Sequence, residues 1–132
     1  TAVKARAFFT GMLQTARAAG ELVEEVRFPQ RRDGERHGFT EVSMRHGDFA
    51  IVALAAVVSA DGICLGVGGV ADRPTVAHWP RLEGTALDDA LNQFAWELGA
   101  QDDTHATAVY RRHLVRMLGR ELIGRLTVER NA

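Results

Sequence analysis

Gly66–Val67–Gly68–Gly69 is the run in this chain that most invites a phosphate-binding reading. A phosphate cradle needs a strand, then a glycine turn, then a helix N-terminus, because backbone N–H groups must face the anion. Here the glycines stand inside an apolar strand pattern and lead to Pro74, so they are expected to let another backbone or a ligand approach closely. The five histidines stand at 37, 46, 78, 105 and 113. No two of them are four apart on a helix, and no cysteine or carboxylate cluster completes a ligand set with metal spacing. Cys64, flanked by Ile63 and Leu65, is expected to be inert packing in a core strand rather than a catalytic thiol. Glu21, Glu24 and Glu25 could serve as paired acids, but along a strand they alternate faces, and an exposed charged edge accounts for them. Arg111–Arg112 with Arg116 and Arg120 forms a basic strip on a helix, expected as a solvated face, with an interface to a carboxylate-bearing partner as the sharper alternative. No Ser-His-Asp arrangement assembles from these residues.

The elements that must position them follow from pattern. Glu21 to Pro29 ends on an alternation at Val26 and Phe28 and predicts a strand stopped by Pro29. Gln30 to Gly38 holds no aliphatic residue and predicts an exposed linker or hairpin loop. Phe39 to Arg45 alternates with period two, Phe49 to Ser59 is rich in alanine and β-branched residues, and Asp61–Gly62 is a hairpin pair leading to a strand over Ile63 to Val70. Asp72–Arg73–Pro74 is expected to turn out of the sheet. Leu87, Ala90, Leu91, Phe94 and Leu98 recur at helical spacing, with Thr85 as the expected N-cap and Gly99 as the C-terminal stop. A longer helix is expected from Thr104 to Glu129, capped by Asp102, Asp103 or Thr104, with a stripe of Tyr110, Leu114, Val115, Leu118, Leu122, Ile123 and Leu126. Residues 1–20 carry Phe8, Phe9, Met12 and Leu13 in two short helical or turn pieces. Strands first and helices last predict an α+β fold, an antiparallel sheet of three or four strands packed against three helices.

Composition bounds the function. The 132 residues suffice for one compact domain, and 46% hydrophobic with 25% charged residues is an ordinary globular balance. Sixteen basic against seventeen acidic side chains leave a net charge of −1, without the basic excess that nucleic-acid binding requires. One cysteine excludes an intramolecular disulfide framework. The longest apolar stretch, Phe49 to Val58, is too short for a bilayer, and no membrane association is expected. The chain opens on Thr1, which leads to the expectation of a processed chain or a piece of a longer one in the cytoplasm.

Phe8–Phe9–Thr10–Gly11, Gly20–Glu21–Leu22–Val23 and Phe28–Pro29 resemble the closing segment of the flavin-binding domain of molybdenum hydroxylases. Phe39 to Val52 resembles the start of that family's C-terminal domain, and Gly68–Gly69–Val70 with Pro74, Leu82–Glu83–Gly84 and Tyr110–Arg111–Arg112 continue the series in order. The family is the FAD-binding medium subunit of enzymes of the carbon monoxide dehydrogenase and xanthine dehydrogenase type. The resemblance implies that residues 1–30 end a flavin-binding domain, 31–37 link, and 38–132 form the C-terminal α+β domain. It implies FAD in the intact subunit, held mainly by glycine-rich loops preceding everything here, so that this chain alone binds little flavin and does not turn over. Val23 aligns with an apolar flavin neighbour, and Thr40 stands where xanthine dehydrogenases carry a lysine near the flavin. The implied partners are a molybdenum-cofactor large subunit and an iron–sulfur small subunit. Apolar surface around Phe8, Phe9 and Val23 leads to an expectation of self-association, or of disorder before Gly20. The rival reading is a stand-alone protein-interaction domain of the same fold that binds no flavin.

Overall fold

A computed structural model describes residues 1–128. The chain opens with a single helical turn, α1 (Ala5–Phe8), and a small hairpin of β1 (Phe9–Gly11) and β2 (Gln14–Thr15). Residues 16–35 then carry no helix or strand. The strand expected over Glu21 to Pro29 is therefore absent, and Leu22, Val26 and Phe28 are exposed at 91%, 66% and 84%. An alternating pattern becomes a strand only when a neighbour takes up its N–H and C=O groups, and none of the described strands pairs with this segment.

β3 (Arg36–Ser43), β4 (Ala50–Val58), β5 (Ile63–Gly68) and β6 (Thr75–Trp79) form an antiparallel meander in the order β3-β4-β5-β6. β3 begins three residues before Phe39, inside the expected loop, because the far end of β4 pairs with it: Arg36 lies opposite Val58 and His37 opposite Val57. The Asp61–Gly62 turn joins β4 to β5 as expected, closed by Ser59 N–H donating to Gly62 C=O at 2.9 Å. Asp72–Arg73–Pro74 leads into β6 and not out of the sheet. Thr75, Ala77 and Trp79 alternate inward there, and Trp79 meets Phe94 edge to face at 5.6 Å.

Two helices cover one face, α2 (Gly84–Glu97) and α3 (Ala108–Val128). α2 is not capped by Thr85: its N-cap is the extended Glu83, which makes no side-chain cap bond. Its other end closes as expected, with Gly99 just beyond the last turn in the left-handed region that glycine tolerates. α3 starts four residues later than expected. Asp103 Oδ1 accepts the N–H groups of His105 and Ala106, folding that stretch into a turn, while Asp102 Oδ1 accepts Ala108 N–H at 2.6 Å and Thr107 Oγ1 accepts Tyr110 N–H. The expected end at Glu129 lies outside the described residues. Val52, Leu54, Ala56, Ile63, Leu65 and Val67 meet Leu91, Phe94, Val115, Leu122 and Ile123 in one core. Tyr110, placed in the apolar stripe, is 44% exposed. Where the helices approach, a Cβ on Gly119 would come 2.8 Å from the buried Leu91 side chain, so α3 carries glycine at the contact.

Candidate functional site

Arg111 is the one buried charged residue among those described, and its place is fixed by three acceptors. Its Nη1 donates to Ile51 C=O at 2.8 Å and Gly69 C=O at 2.6 Å, and its Nη2 to Asp103 Oδ2. Asp103, held by the Ala106 and His105 N–H groups and by the Arg111 guanidinium, has its carboxyl pulled down to about 2. Gly69 is required beside this residue. Its φ is +83°, and a Cβ would stand 2.7 Å from Ala50 C=O and 2.9 Å from Ile51 C=O. Close backbone approach is thus the work of Gly69 alone, since a Cβ on Gly66 or Gly68 would meet nothing closer than 3.7 Å, and the run leads into β6 instead of a helix N-terminus.

The rest of the basic strip behaves differently from Arg111. Arg112 stacks 4.0 Å over the Trp96 ring, Arg116 donates to Asn92 Oδ1 at 3.1 Å, and Arg120 pairs with Asp88 at 2.7 Å. Each reaches from α3 to α2, so the strip joins the two helices at the surface. Arg111 itself is neither solvated nor available to a partner, which corrects both expectations for that position. Its burial is hidden in sequence because two adjacent arginines on a helix point 100° apart and only the inner one finds carbonyls.

Strand alternation divides the sheet into two faces. Val52, Leu54 and Ala56 of β4 and Ile63, Leu65 and Val67 of β5 turn toward the helices. The outward face carries Phe39, Ala53, Ala55, Val57, Cys64, Gly66, Gly68 and Val76, together with His37, Glu41 and His78. Phe39 is 60% and Val76 51% exposed. An antiparallel sheet with one solvated face ordinarily shows polar residues there. Away from His37, Glu41 and His78 this face is apolar, the kind of surface that another body covers. Cys64 lies on it, half-buried, opposite Val57 and His78, and burial pushes its thiol pKa up. The expected core position is thereby corrected: Cys64 is in the strand, but turned away from the helices.

Val23 and Thr40 occupy different settings. Val23 is 55% exposed on the extended segment before Pro29. Thr40 lies opposite Leu54 on the helix-facing side of β3, between Gly38, whose Cβ would meet Leu122, and Val42, which packs on the core. Its neighbours Phe39 and Glu41 are the residues that turn outward. The glutamates at 21, 24 and 25 form no acid pair. Glu21 closes a turn by accepting Ala18 N–H, and Glu25 pairs with Arg27 at the surface. Among the described residues no group of three His, Cys, Asp or Glu could hold a metal ion, and no helix is long and apolar enough to cross a membrane.

These features define an α+β domain, a four-stranded antiparallel meander backed by helices, in the fold of the carbon monoxide dehydrogenase flavoprotein. Reconstituted CO dehydrogenase from Oligotropha carboxidovorans superposes with a TM-score of 0.85 at 25% identity, over 96% of this chain and 48% of that one. No family model matches the chain. The nicotine 6-hydroxylase medium subunit of Paenarthrobacter nicotinovorans is 32% identical over 98% of this chain and 48% of its own length. The glyceraldehyde dehydrogenase medium chain of Sulfolobus acidocaldarius is 29% identical over 88% and 45%. The homologues of this chain are medium subunits of molybdenum hydroxylases. The chain spans about half the length of the curated relatives it matches.

Proposed function

We propose that the chain is the C-terminal part of an FAD-binding medium subunit of a cytoplasmic molybdenum hydroxylase, where it supplies structure, subunit contacts and one side of the flavin pocket. Residues 1–30 would close the flavin-binding domain, 31–37 would link, and 38–132 would form the C-terminal domain. The observation that carries this reading is likeness to medium subunits along nearly the whole chain, joined to apolar surface left open on two elements: the segment Leu22–Phe28 and the outward face of the sheet. A flavin needs donors for its pyrophosphate and apolar walls for its ring system. The described residues fit the second need, through Val23 and its neighbours, and hold no glycine loop opening onto a helix N-terminus for the first. FAD would therefore be held by the remainder of the subunit, with Val23 against it and Thr40 behind the strand facing it. FAD supplies electron transfer when bound; this chain excludes water from it and places the sheet beside the partner subunits.

The test is substitution in the intact medium subunit. Val23→Asp is expected to weaken FAD retention at least tenfold, read by flavin absorbance after gel filtration. Unchanged retention in Val23→Asp would remove Val23 from the flavin's surroundings.

A further inference from the structure

A cavity of about 380 Å³ opens where the 31–36 loop leans on the β4–β5 hairpin and the end of α3. Arg31, Arg36 and Arg81 line it together with one carboxylate, Glu35, and Val58, Ala60 and Leu126 form an apolar floor. Glu35 is already engaged: its Oε2 accepts Arg32 N–H at 2.9 Å and lies 3.2 Å from His37 Nε2. Arg36 has an interaction of its own, which leaves Arg31 and Arg81 as the arginines open to a ligand. Arg31 makes no hydrogen bond or ion pair among the described residues. Arg81 has a side chain only 30% exposed, yet its five donors find one long bond, to Ser59 C=O at 3.5 Å, and a 4.0 Å contact with the exposed Glu83. The remaining N–H groups of Arg81 reach solvent and leave its fork open to a planar anion.

We infer that this cavity binds a small carboxylate with a short apolar body, the head between Arg81 and Arg31 and the body on Val58, Ala60 and Leu126. A carboxylate matches the guanidinium fork with two parallel bonds, and the floor adds area burial that a bare ion cannot use. Because Arg31 stands on the loop and Arg81 follows β6, an occupant would tie the loop to the sheet. The site uses neither Val23 nor Thr40 and stands apart from the flavin reading.

Titration of the isotope-labelled chain with benzoate at constant ionic strength tests this. Amide shifts are expected to saturate and to concentrate at residues 34–36, 60 and 81. Arg81→Gln and Arg31→Gln are each expected to weaken binding at least tenfold, while signals of the core strands stay in place and report an intact fold. Neutral benzamide should leave the spectrum unchanged, and tryptic cleavage after Arg31 should slow when benzoate is bound. Shifts spread over all surface arginines without saturation, or equal affinity in both variants, would overturn the site. Inorganic phosphate binding as tightly as benzoate would overturn the apolar body.

Discussion

Arg111 joins three stretches distant in sequence: the start of β4 through Ile51, the turn after β5 through Gly69, and the approach to α3 through Asp103. Its removal leaves two buried carbonyls and a carboxylate without their donor. Arg111→Met is expected to cost about 2–4 kcal/mol, the scale for leaving two buried carbonyl groups without a donor, measured by urea unfolding. Asp103 gives the pair a pH signature. Its folded pKa, about 2, lies below the ordinary 3.8, so the stabilisation is complete above about 3.8 and is lost as pH falls toward 2. Acid unfolding followed by circular dichroism should therefore steepen between pH 4 and 2. Asp103→Asn should flatten that limb, and an unchanged limb would show that the Ala106 and His105 N–H groups and Arg111 do not hold the carboxylate in solution. None of this is legible in sequence, because Arg111 and Arg112 have the same type and their difference is made entirely by the helix rotation between them.

At the scale of elements, sheet and helices are set by patterns visible in the chain. Clean alternation over Phe39 to Arg45, the Asp61–Gly62 turn and the spacing of Leu87, Leu91, Phe94 and Leu98 foretell β3, the β4–β5 hairpin and α2. Failures occur where a partner decides. The segment from Glu21 to Pro29 alternates but finds no strand beside it, and β6 forms after Pro74 because β5 offers a free edge. The late start of α3 follows from side-chain competition, since Asp103 turns the backbone at His105 and Ala106 before the helix can begin. The packing of α2 on α3 carries its own prediction. Gly119→Ala drives a methyl group to 2.8 Å from Leu91, and is expected to cost roughly 1–3 kcal/mol of stability through overpacking, again by urea unfolding. Gly119→Ala at wild-type stability would mean that the Leu91 side chain turns aside and the helix preference of alanine offsets the crowding.

For the whole molecule, the distribution of apolar surface is the main feature. One face of the sheet is sealed by α2 and α3; the other, with Phe39 and Val76, is open, and so is the segment from Leu22 to Phe28. In the proposed reading, the remainder of a medium subunit would cover both. The chain on its own is expected to self-associate in sedimentation velocity at tens of micromolar, and Leu22→Ser with Phe28→Ser to shift it toward monomer. The candidate flavin neighbours were legible only through family resemblance: an exposed valine on a coil and a half-buried threonine on a strand carry no chemical signature of their own. The most direct measurement is a titration of FAD with the purified chain, followed by flavin fluorescence and polarisation. A chain that supplies only one wall of the pocket leaves both signals unchanged up to high protein concentration. Saturable, stoichiometric binding would contradict it, by showing that these residues hold the cofactor without the rest of the subunit.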